Sequence, residues 1–251
     1  MAEERCILIL GGTGQARELA ELIAGLPGLV PVTSLAGRTR DPILPQGEIR
    51  SGGFGGVAGL AAYLSENDIA LVADATHPFA ATMSAHAAEA CAQEGVPYLR
   101  LERPGWDPQD GDDWREAHDV ASAAAMIEAG ARALVAVGRQ EIAPFLARND
   151  ISVFARMIEP PQQPIPGHAE IMLARPPFSL EEELALMREK NISVLIAKNS
   201  GGAGYAKLVA ARMLSLPVIL VARPQKPHAP LAASAEEMRA LILASLPRQP
   251  A

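Results

Sequence analysis

Short apolar runs alternate with segments of helical periodicity along the first part of the chain. Such runs predict buried strands at 6–10, 30–35 and 69–73, with weaker strand candidates at 48–50 and 98–101. Apolar residues at helical spacing predict helices at 15–24, 57–65 and 79–93, the last with Pro78 at its start. Continuously apolar strands that alternate with helices are typical of a parallel sheet covered on both faces.

A polar stretch at 102–113 interrupts this alternation and is the best linker candidate. The alternation then resumes, with strands predicted at 133–137, 153–155, 170–173, 193–197 and 218–221. Helices are predicted at 120–129, 142–148, 180–189, 205–214 and 235–246, and Ser234 and Glu237 have capping-box spacing at the start of the last one.

We therefore expect two Rossmann-like parallel-sheet α/β domains with a cleft between them. The predicted boundary gives a cofactor-binding domain at 1–104 and a second α/β domain at 105–251 that completes a substrate cleft. Clefts and the carboxyl ends of parallel strands are where such folds bind ligands.

The charge and the cysteine and histidine content of the chain exclude several classes of function. A net charge of −7 argues against nucleic acid as a partner. Cys6, Cys91 and the five histidines lack the spacing of a metal site, so we expect no metal, and the two cysteines suggest no disulfide framework. No apolar run is long enough to span a bilayer and no secretory leader is evident, so the sequence predicts a cytoplasmic protein.

The first predicted strand leads into a glycine turn and then a helix. Gly12 and Gly14 match the first two glycines of the dinucleotide fingerprint, with Thr13 between them, whereas Arg17 stands in the third position. A cation in the first turn of a helix is unfavourable unless an anion is bound nearby. These residues therefore predict a pyrophosphate site; the alternative is a strand-to-helix turn without a ligand.

The end of the second predicted strand distinguishes NAD from NADP. Ser34, Arg38 and Thr39 lie there, and no acidic residue follows before Asp41. NAD enzymes place an acid in this region, on the ribose hydroxyls. The pattern favours NADPH, with Arg38 on the 2′-phosphate, over a solvated basic loop without a ligand.

Two further loops follow strands of the first half. The segment 51–56 has four glycines around Phe54; Gly53 can contact the cofactor and Phe54 the substrate, or the segment is a flexible lid. The segment 74–79 follows a central strand, where Asp74 and Thr76 can border the cofactor. Thr76 or His77 can instead cap the next helix, and His77 is the best-placed histidine of this half for proton transfer.

A third loop, at 198–204, leads into a helix that carries Lys207. It is not a Walker A loop, because the required spacing is absent. Lysines at a helix start suit phosphate or carboxylate. The predicted anion-binding residues are Lys198, Asn199, Ser200, Gly201 and Lys207, with Arg139 as a weaker candidate that can equally be a surface residue.

Together these motifs resemble the precorrin-6A reductase family of cobalamin biosynthesis. The resemblance runs in order to about residue 224 and is carried by the segments 9–14, 34–38, 52–56, 74–79, 103–106, 198–202 and 216–218. The two most specific segments are Asp-Ala-Thr-His-Pro-Phe at 74–79 and Lys-Asn-Ser-Gly-Gly at 198–202.

The resemblance implies NADPH-dependent reduction of one double bond of precorrin-6A, giving precorrin-6B. The substrate would be a polycarboxylate tetrapyrrole, which would give the 198–207 cations a role, and neighbouring enzymes of the corrin pathway would be candidate partners. His77 and Lys198 are the candidate proton donors, with solvent as the competitor. Whether the tetrapyrrole is metal-free or carries cobalt stays open.

Two other readings remain. A non-catalytic NADP sensor would keep the glycine turn without needing the lysine-bearing loop. A reductase of an unrelated small anion would need only a narrow pocket beside the nicotinamide.

Overall fold

The computed structural model describes residues 4–37 and 43–246. The chain divides into two compact units. One contains the residues up to Pro104 together with those from Pro224 onward, and the other spans Gly105–Arg223. Among the described residues, no helix combines the length and apolar character needed to cross a membrane.

The first unit begins with five parallel strands in the spatial order β5-β4-β1-β2-β3. The strands are β1 (Arg5–Leu10), β2 (Leu29–Leu35), β3 (Glu48–Ser51), β4 (Ile69–Asp74) and β5 (Tyr98–Leu101). The helices between them are α1 (Gly14–Ala24), α2 (Gly56–Glu66) and α3 (Ala81–Glu94). This order places β1 and β4 side by side at the centre, as in Rossmann-like sheets.

The second unit is a second parallel sheet, in the order β6-β11-β10-β7-β8-β9. Its strands are β6 (Trp114–Ala117), β7 (Arg132–Ala136), β8 (Ser152–Met157), β9 (Ala169–Leu173), β10 (Val194–Lys198) and β11 (Val218–Val221). Its helices are α4 (Val120–Ala125), α5 (Ala143–Leu146), α6 (Leu180–Glu189) and α7 (Ala206–Met213). The expected pair of parallel-sheet α/β units is confirmed, and the described residues form six strands rather than five in each sheet.

The end of the chain returns to the first unit. There β12 (Leu231–Ala232) pairs in parallel with β5, and α8 (Ala235–Ser245) buries Met238 and Ile242 against Leu19 and Ile23 of α1. The structure thus differs from the predicted boundary, which assigned 224–251 to the second domain. The return covers an edge strand and an apolar face of α1, and such long-range pairing leaves no mark in local periodicity.

Consecutive residues of β1 point to opposite faces of the sheet. Ile7 and Ile9 pack with α1 and α8, whereas Leu8 and Leu10 pack with α2 and α3 residues. Because both faces are covered, the strand is apolar throughout, as the sequence pattern indicated.

The helix after β4 begins later than predicted. It starts at Ala81 with Ala80 as its N-cap, and no side chain caps it. The expectations of Pro78 at its start and of Thr76 or His77 as its cap are therefore wrong. The intervening residues form a turn, in which the Ala80 amide donates to the His77 carbonyl at 2.8 Å.

Gly59 of α2 supports the glycine-rich segment 51–56. A Cβ at this position would lie 1.8 Å from the Phe54 carbonyl oxygen. Gly59→Ala should therefore lower the free energy of unfolding by about 1–3 kcal/mol, although alanine is normally the better helix former. Urea denaturation of Gly59→Ala beside Gly167→Ala, where a Cβ has open space, checks this. Equal stability of the two variants would contradict it.

Candidate functional site

The glycine turn after β1 lies at the carboxyl edge of the first sheet. Gly12 has φ +102°, which favours glycine, and no atom lies within 4 Å of where its Cβ would be. A Cβ at Gly11 would instead lie 2.7 Å from Thr33 Cγ2. Gly11 therefore serves close packing, while Gly12 leaves the turn open to a ligand.

Thr13 and Arg17 flank the start of α1. Thr13 is the N-cap: its hydroxyl oxygen accepts from the Ala16 amide at 3.1 Å, and its proton goes to the Ala75 carbonyl at 2.8 Å. Arg17 stays near the same helix end, since a Cβ on Gly14 would lie 3.8 Å from its Nη2. The positive end of α1 and a guanidinium thus adjoin the turn, an arrangement that suits an anion.

The end of β2 carries Ser34, which is buried and lies opposite Arg50 of β3 in the parallel register. Arg50 Nη1 is 3.4 Å from Ser34 Oγ. Arg50 was not among the predicted site residues, because a single arginine in a weak strand carries no signal. Arg38 and Thr39, predicted for the same place, lie outside the described residues.

Arg50 also holds the glycine-rich segment that follows β3. It donates to the carbonyls of Gly52 at 2.6 Å and Gly53 at 2.8 Å. Its guanidinium lies 3.7 Å from the centroid of the Phe54 ring, which in turn packs edge-on against Tyr63. Phe54 is therefore part of the packing that holds the segment, while no atom lies within 4 Å of the Cβ position of Gly53.

Asp74, at the end of β4, is an almost fully buried carboxylate with three donors. It accepts from the Thr76 amide at 3.1 Å, the Thr76 hydroxyl at 2.6 Å and the Tyr98 hydroxyl at 2.7 Å. Burial, and next the charge of Asp74, raise the pKa of Tyr98 well above its ordinary value. Tyr98 therefore stays a hydrogen-bond donor to Asp74, and the bonds to Thr76 make Asp74 part of the turn after β4.

His77 is exposed in the turn after β4. Its Nδ1 accepts from the Phe79 amide at 3.3 Å. Accepting there requires a lone pair on Nδ1, so the neutral ring carries its proton on Nε2. In this form His77 can donate a hydrogen bond through Nε2, whereas delivering a proton would require the doubly protonated ring, in which Nδ1 no longer accepts.

Lys226 joins this group from the segment that returns to the first unit. Its side chain is 3% exposed, and Nζ lies 3.3 Å from Thr76 Oγ1 and 3.4 Å from Glu102 Oε2. Glu102 also pairs with Arg100 at 2.7 Å. Sequence reasoning missed Lys226, because the proline-rich segment around it was assigned to the other domain.

Two predicted cations of the second unit have acidic partners. Lys198, at the end of β10, pairs with Glu141. Arg139 Nη1 lies 2.6 Å from Glu159 Oε2. Neither partner was predicted, since each lies many residues away in the sequence.

The loop after β10 is fastened to Trp106. Asn199 Oδ1 accepts from the Trp106 amide at 2.7 Å, and Asn199 Nδ2 donates to the Trp106 carbonyl at 3.1 Å. The indole N–H donates to the Gly202 carbonyl at 3.2 Å. Gly201 and Gly202 have φ +66° and +74°. Both polar atoms of the Asn199 side chain are therefore hydrogen-bonded to Trp106. Within the loop, the Ser200 amide donates to the Lys198 carbonyl at 2.7 Å.

Lys207 of α7 lies against the same tryptophan. Its Nζ is 4.8 Å from the centroid of the Trp106 ring, and it donates to the Gly204 carbonyl. Burial lowers the pKa of Lys207 to about 8; Arg156 acts in the same direction and Glu183 opposes it. This ammonium is therefore able to lose its charge within a moderate pH range.

Comparisons with known proteins agree with this architecture. The model of the family described as Precorrin-6x reductase CbiJ/CobK matches residues 6–242. Proteins named Precorrin-6A reductase from Rhodococcus erythropolis and Rhodobacter capsulatus are 47% and 45% identical, covering 89% and 92% of this chain and 91% and 92% of their own.

A more distant relative and a solved structure extend the comparison. A Cobalt-precorrin-6A reductase from Methanothermobacter thermautotrophicus is 32% identical over 89% of this chain and 78% of its own. A solved CobK precorrin-6A reductase aligns with a TM-score of 0.90 and 43% identity over 96% of this chain and 97% of its own. With matched residues spanning both units and the same fold throughout, this chain belongs to the precorrin-6x reductase family.

Proposed function

We propose that this protein reduces precorrin-6A to precorrin-6B with NADPH in cobalamin biosynthesis. The observation that carries the proposal is the family match across both units, together with an open glycine turn at the start of α1. A non-catalytic NADP sensor is not favoured, because the relatives that match both units are named as reductases.

The first unit offers a fitting place for the cofactor's pyrophosphate. The amides at the start of α1, around Gly12, Thr13 and Gly14, are the donors, and Arg17 adds positive charge. When bound, NADPH supplies the hydride. The protein's own task is to hold cofactor and acceptor in alignment and to deliver a proton.

The 2′-phosphate would lie at the end of β2. Ser34 supplies a hydroxyl, and Arg50 supplies a cation 3.4 Å from it. Arg38 and Thr39 follow in sequence and complete the proposed subsite. Arginine suits a phosphate because its planar fork donates two parallel hydrogen bonds.

The acceptor would be metal-free precorrin-6A. The relatives named for it are 42–47% identical to this chain, whereas those named for the cobalt form are 28–32% identical. Assaying both tetrapyrroles side by side, by the loss of NADPH absorbance, tests this. We expect the larger kcat/KM with the metal-free compound; NADPH binding with no turnover of either would refute the function.

Cations of the second unit would receive the substrate's carboxylates. Lys198 and Arg139 are held by Glu141 and Glu159, so each is ordered before a substrate carboxylate competes for it. The Ser200 hydroxyl and the Gly201 amide are the neutral donors proposed beside them. For the proton, the candidates remain His77, Lys198 and solvent.

Arg38→Ala should weaken NADPH far more than NADH. Losing a charge-assisted hydrogen bond to phosphate raises the Kd of NADPH by roughly tenfold to hundredfold, because such bonds contribute about 1.5–3 kcal/mol. Fluorescence titration with both cofactors measures this, with exposed Arg115→Ala as the matched control. Equal losses for the two cofactors would remove Arg38 from the 2′-phosphate subsite.

Lys198→Ala should raise the substrate KM by about tenfold and leave the Kd of NADPH unchanged, since its proposed partner is a carboxylate of the tetrapyrrole. Lys190→Ala is the control, because Lys190 Nζ pairs with Glu170 at 2.8 Å on the surface. Steady-state kinetics with both variants measure the effect. An unchanged substrate KM would overturn the carboxylate role.

The substrate KM should also depend on pH through Lys207. With its pKa lowered to about 8, the residue is a cation below that pH and neutral above it. The substrate's carboxylates stay ionised throughout, so KM should rise as the pH increases through about 8. Lys207→Arg, which stays charged, should remove the rise. A wild-type profile in Lys207→Met would contradict the role.

A further inference from the structure

We propose that Lys226 is a positioning residue that fixes the β4 turn, defined as Ala75–Ala80, through a hydrogen bond to Thr76. The inference rests on the proposed function, because this turn borders the cofactor site. It concerns a residue outside the predicted glycine, arginine and lysine motifs, brought to the turn by the chain's return to the first unit.

The hydrogen bonds around Thr76 run in one direction. The Thr76 hydroxyl has a single proton, which it gives to Asp74 Oδ1 at 2.6 Å. A lysine ammonium is only a donor, so Lys226 gives a proton to the Thr76 hydroxyl oxygen, 3.3 Å away. The order of donation is therefore Lys226 to Thr76 to Asp74.

The charge of Lys226 is balanced within the first unit. Glu102 Oε2 lies 3.4 Å from Nζ and 2.7 Å from Arg100 Nη2. Asp74 adds the second carboxylate of the group, so two anions face two cations. A buried ion pair of this kind gives little net stability compared with apolar packing. The buried ammonium of Lys226 is therefore better explained by a role in holding the β4 turn in one arrangement than by a gain in stability.

The main chain of Lys226 is itself fixed in place. Arg100 Nη1 donates to the Pro227 carbonyl at 2.9 Å, and the Arg100 amide donates to the Pro230 carbonyl at 2.9 Å. The returning segment is thereby bonded to β5, the neighbour of β4. Lys226 therefore reaches Thr76 from a segment that is hydrogen-bonded to β5.

The β4 turn is joined to the glycine turn on its other side. The Ala75 amide donates to the Leu10 carbonyl at 3.1 Å, and the Ala75 carbonyl accepts from the Thr13 hydroxyl at 2.8 Å. Thr13 and Lys226 thus hold two adjacent residues of the same turn. Displacing Thr76 would move the turn that borders the reacting end of the cofactor in folds of this type.

Hydride transfer is sensitive to such displacement, because misplacing the reacting groups by about 1 Å can cost roughly a hundredfold in rate. Binding of the pyrophosphate depends instead on the glycine turn, and neither its glycines nor the Thr13 cap of α1 is altered when Lys226 or Thr76 is replaced. The proposal therefore predicts a loss in kcat without a comparable loss in NADPH affinity.

A double-mutant cycle of Lys226→Met and Thr76→Val tests the link. Each single variant should lower kcat by about tenfold, with the Kd of NADPH within about twofold of wild type. The double variant should lose little more than Thr76→Val alone, because the bond that Lys226→Met removes is already absent in Thr76→Val. Additive losses in kcat, or an unchanged kcat in Lys226→Met, would overturn the proposal.

Two controls separate positioning from general damage. Thr76→Ser keeps the hydroxyl and should therefore restore most of the kcat that Thr76→Val loses. Lys190→Met removes an ammonium of the second unit and should leave kcat unchanged. Thr76→Val leaves the ion pair of Lys226 with Glu102 in place, so it tests the link even if Lys226→Met loses the fold. Wild-type kcat in Thr76→Val would refute it.

Amide hydrogen exchange gives a readout that does not depend on turnover. The Thr76 amide is bonded to Asp74 Oδ1 at 3.1 Å, so it should exchange faster in Lys226→Met and at the wild-type rate in Lys190→Met. A wild-type enzyme that turns over neither tetrapyrrole would refute the proposed function alone. Unchanged exchange at Thr76 in Lys226→Met would refute the positioning role alone.

Discussion

The hydrogen bond from the Thr13 hydroxyl to the Ala75 carbonyl is the link on which the proposed cofactor site of the first unit depends. It joins the cap of α1 to the turn after β4, 62 residues further along the chain. Parallel pairing of β1 and β4 brings the two turns together, and this bond sets their separation. The glycine turn, the β4 turn and the side chains behind them are therefore joined by hydrogen bonds, which suits a cofactor that must be held in one orientation.

Hydride transfer asks little covalent chemistry of a protein. In the first unit, charged side chains bond to the backbone of the loops that follow the strands. Asp74 accepts a hydrogen bond from the β4 turn, and Arg50 donates to the glycine-rich segment after β3. In the second unit, hydrogen bonds join Trp106 to the loop at 198–204, between Lys198 of β10 and the helix that carries Lys207. Such preorganisation is what hydride transfer requires, since the cofactor itself carries the reactive group.

Most of the fold could be predicted from the sequence because it depends on local patterns. The apolar runs of β1 and β4 and the periodicity of α6 follow from burial on sheet and helix faces. Two strands were missed. β6 is a short strand of mixed polarity beside the linker, and β12 has only two residues. Both are edge strands held by long-range pairing, which a local pattern does not encode.

The candidate site was predicted loop by loop but not as a network. The glycine turn and the lysine-bearing loop carry recognisable spacing, so their residues could be named. The acidic partners of Lys198 and Arg139, and the positions of Arg50 and Lys226, depend on which strands are neighbours. Lys226 shows this most clearly, because the segment that holds it was assigned to the other domain.

The most direct test of the proposed activity is the fate of the transferred hydrogen. NADPH deuterated at the transferable position of its nicotinamide, incubated with the protein and precorrin-6A, should give a reduced tetrapyrrole that carries a single deuterium by mass spectrometry. A reduced product without deuterium, or deuterated NADPH left unconsumed beside precorrin-6A, would contradict the account.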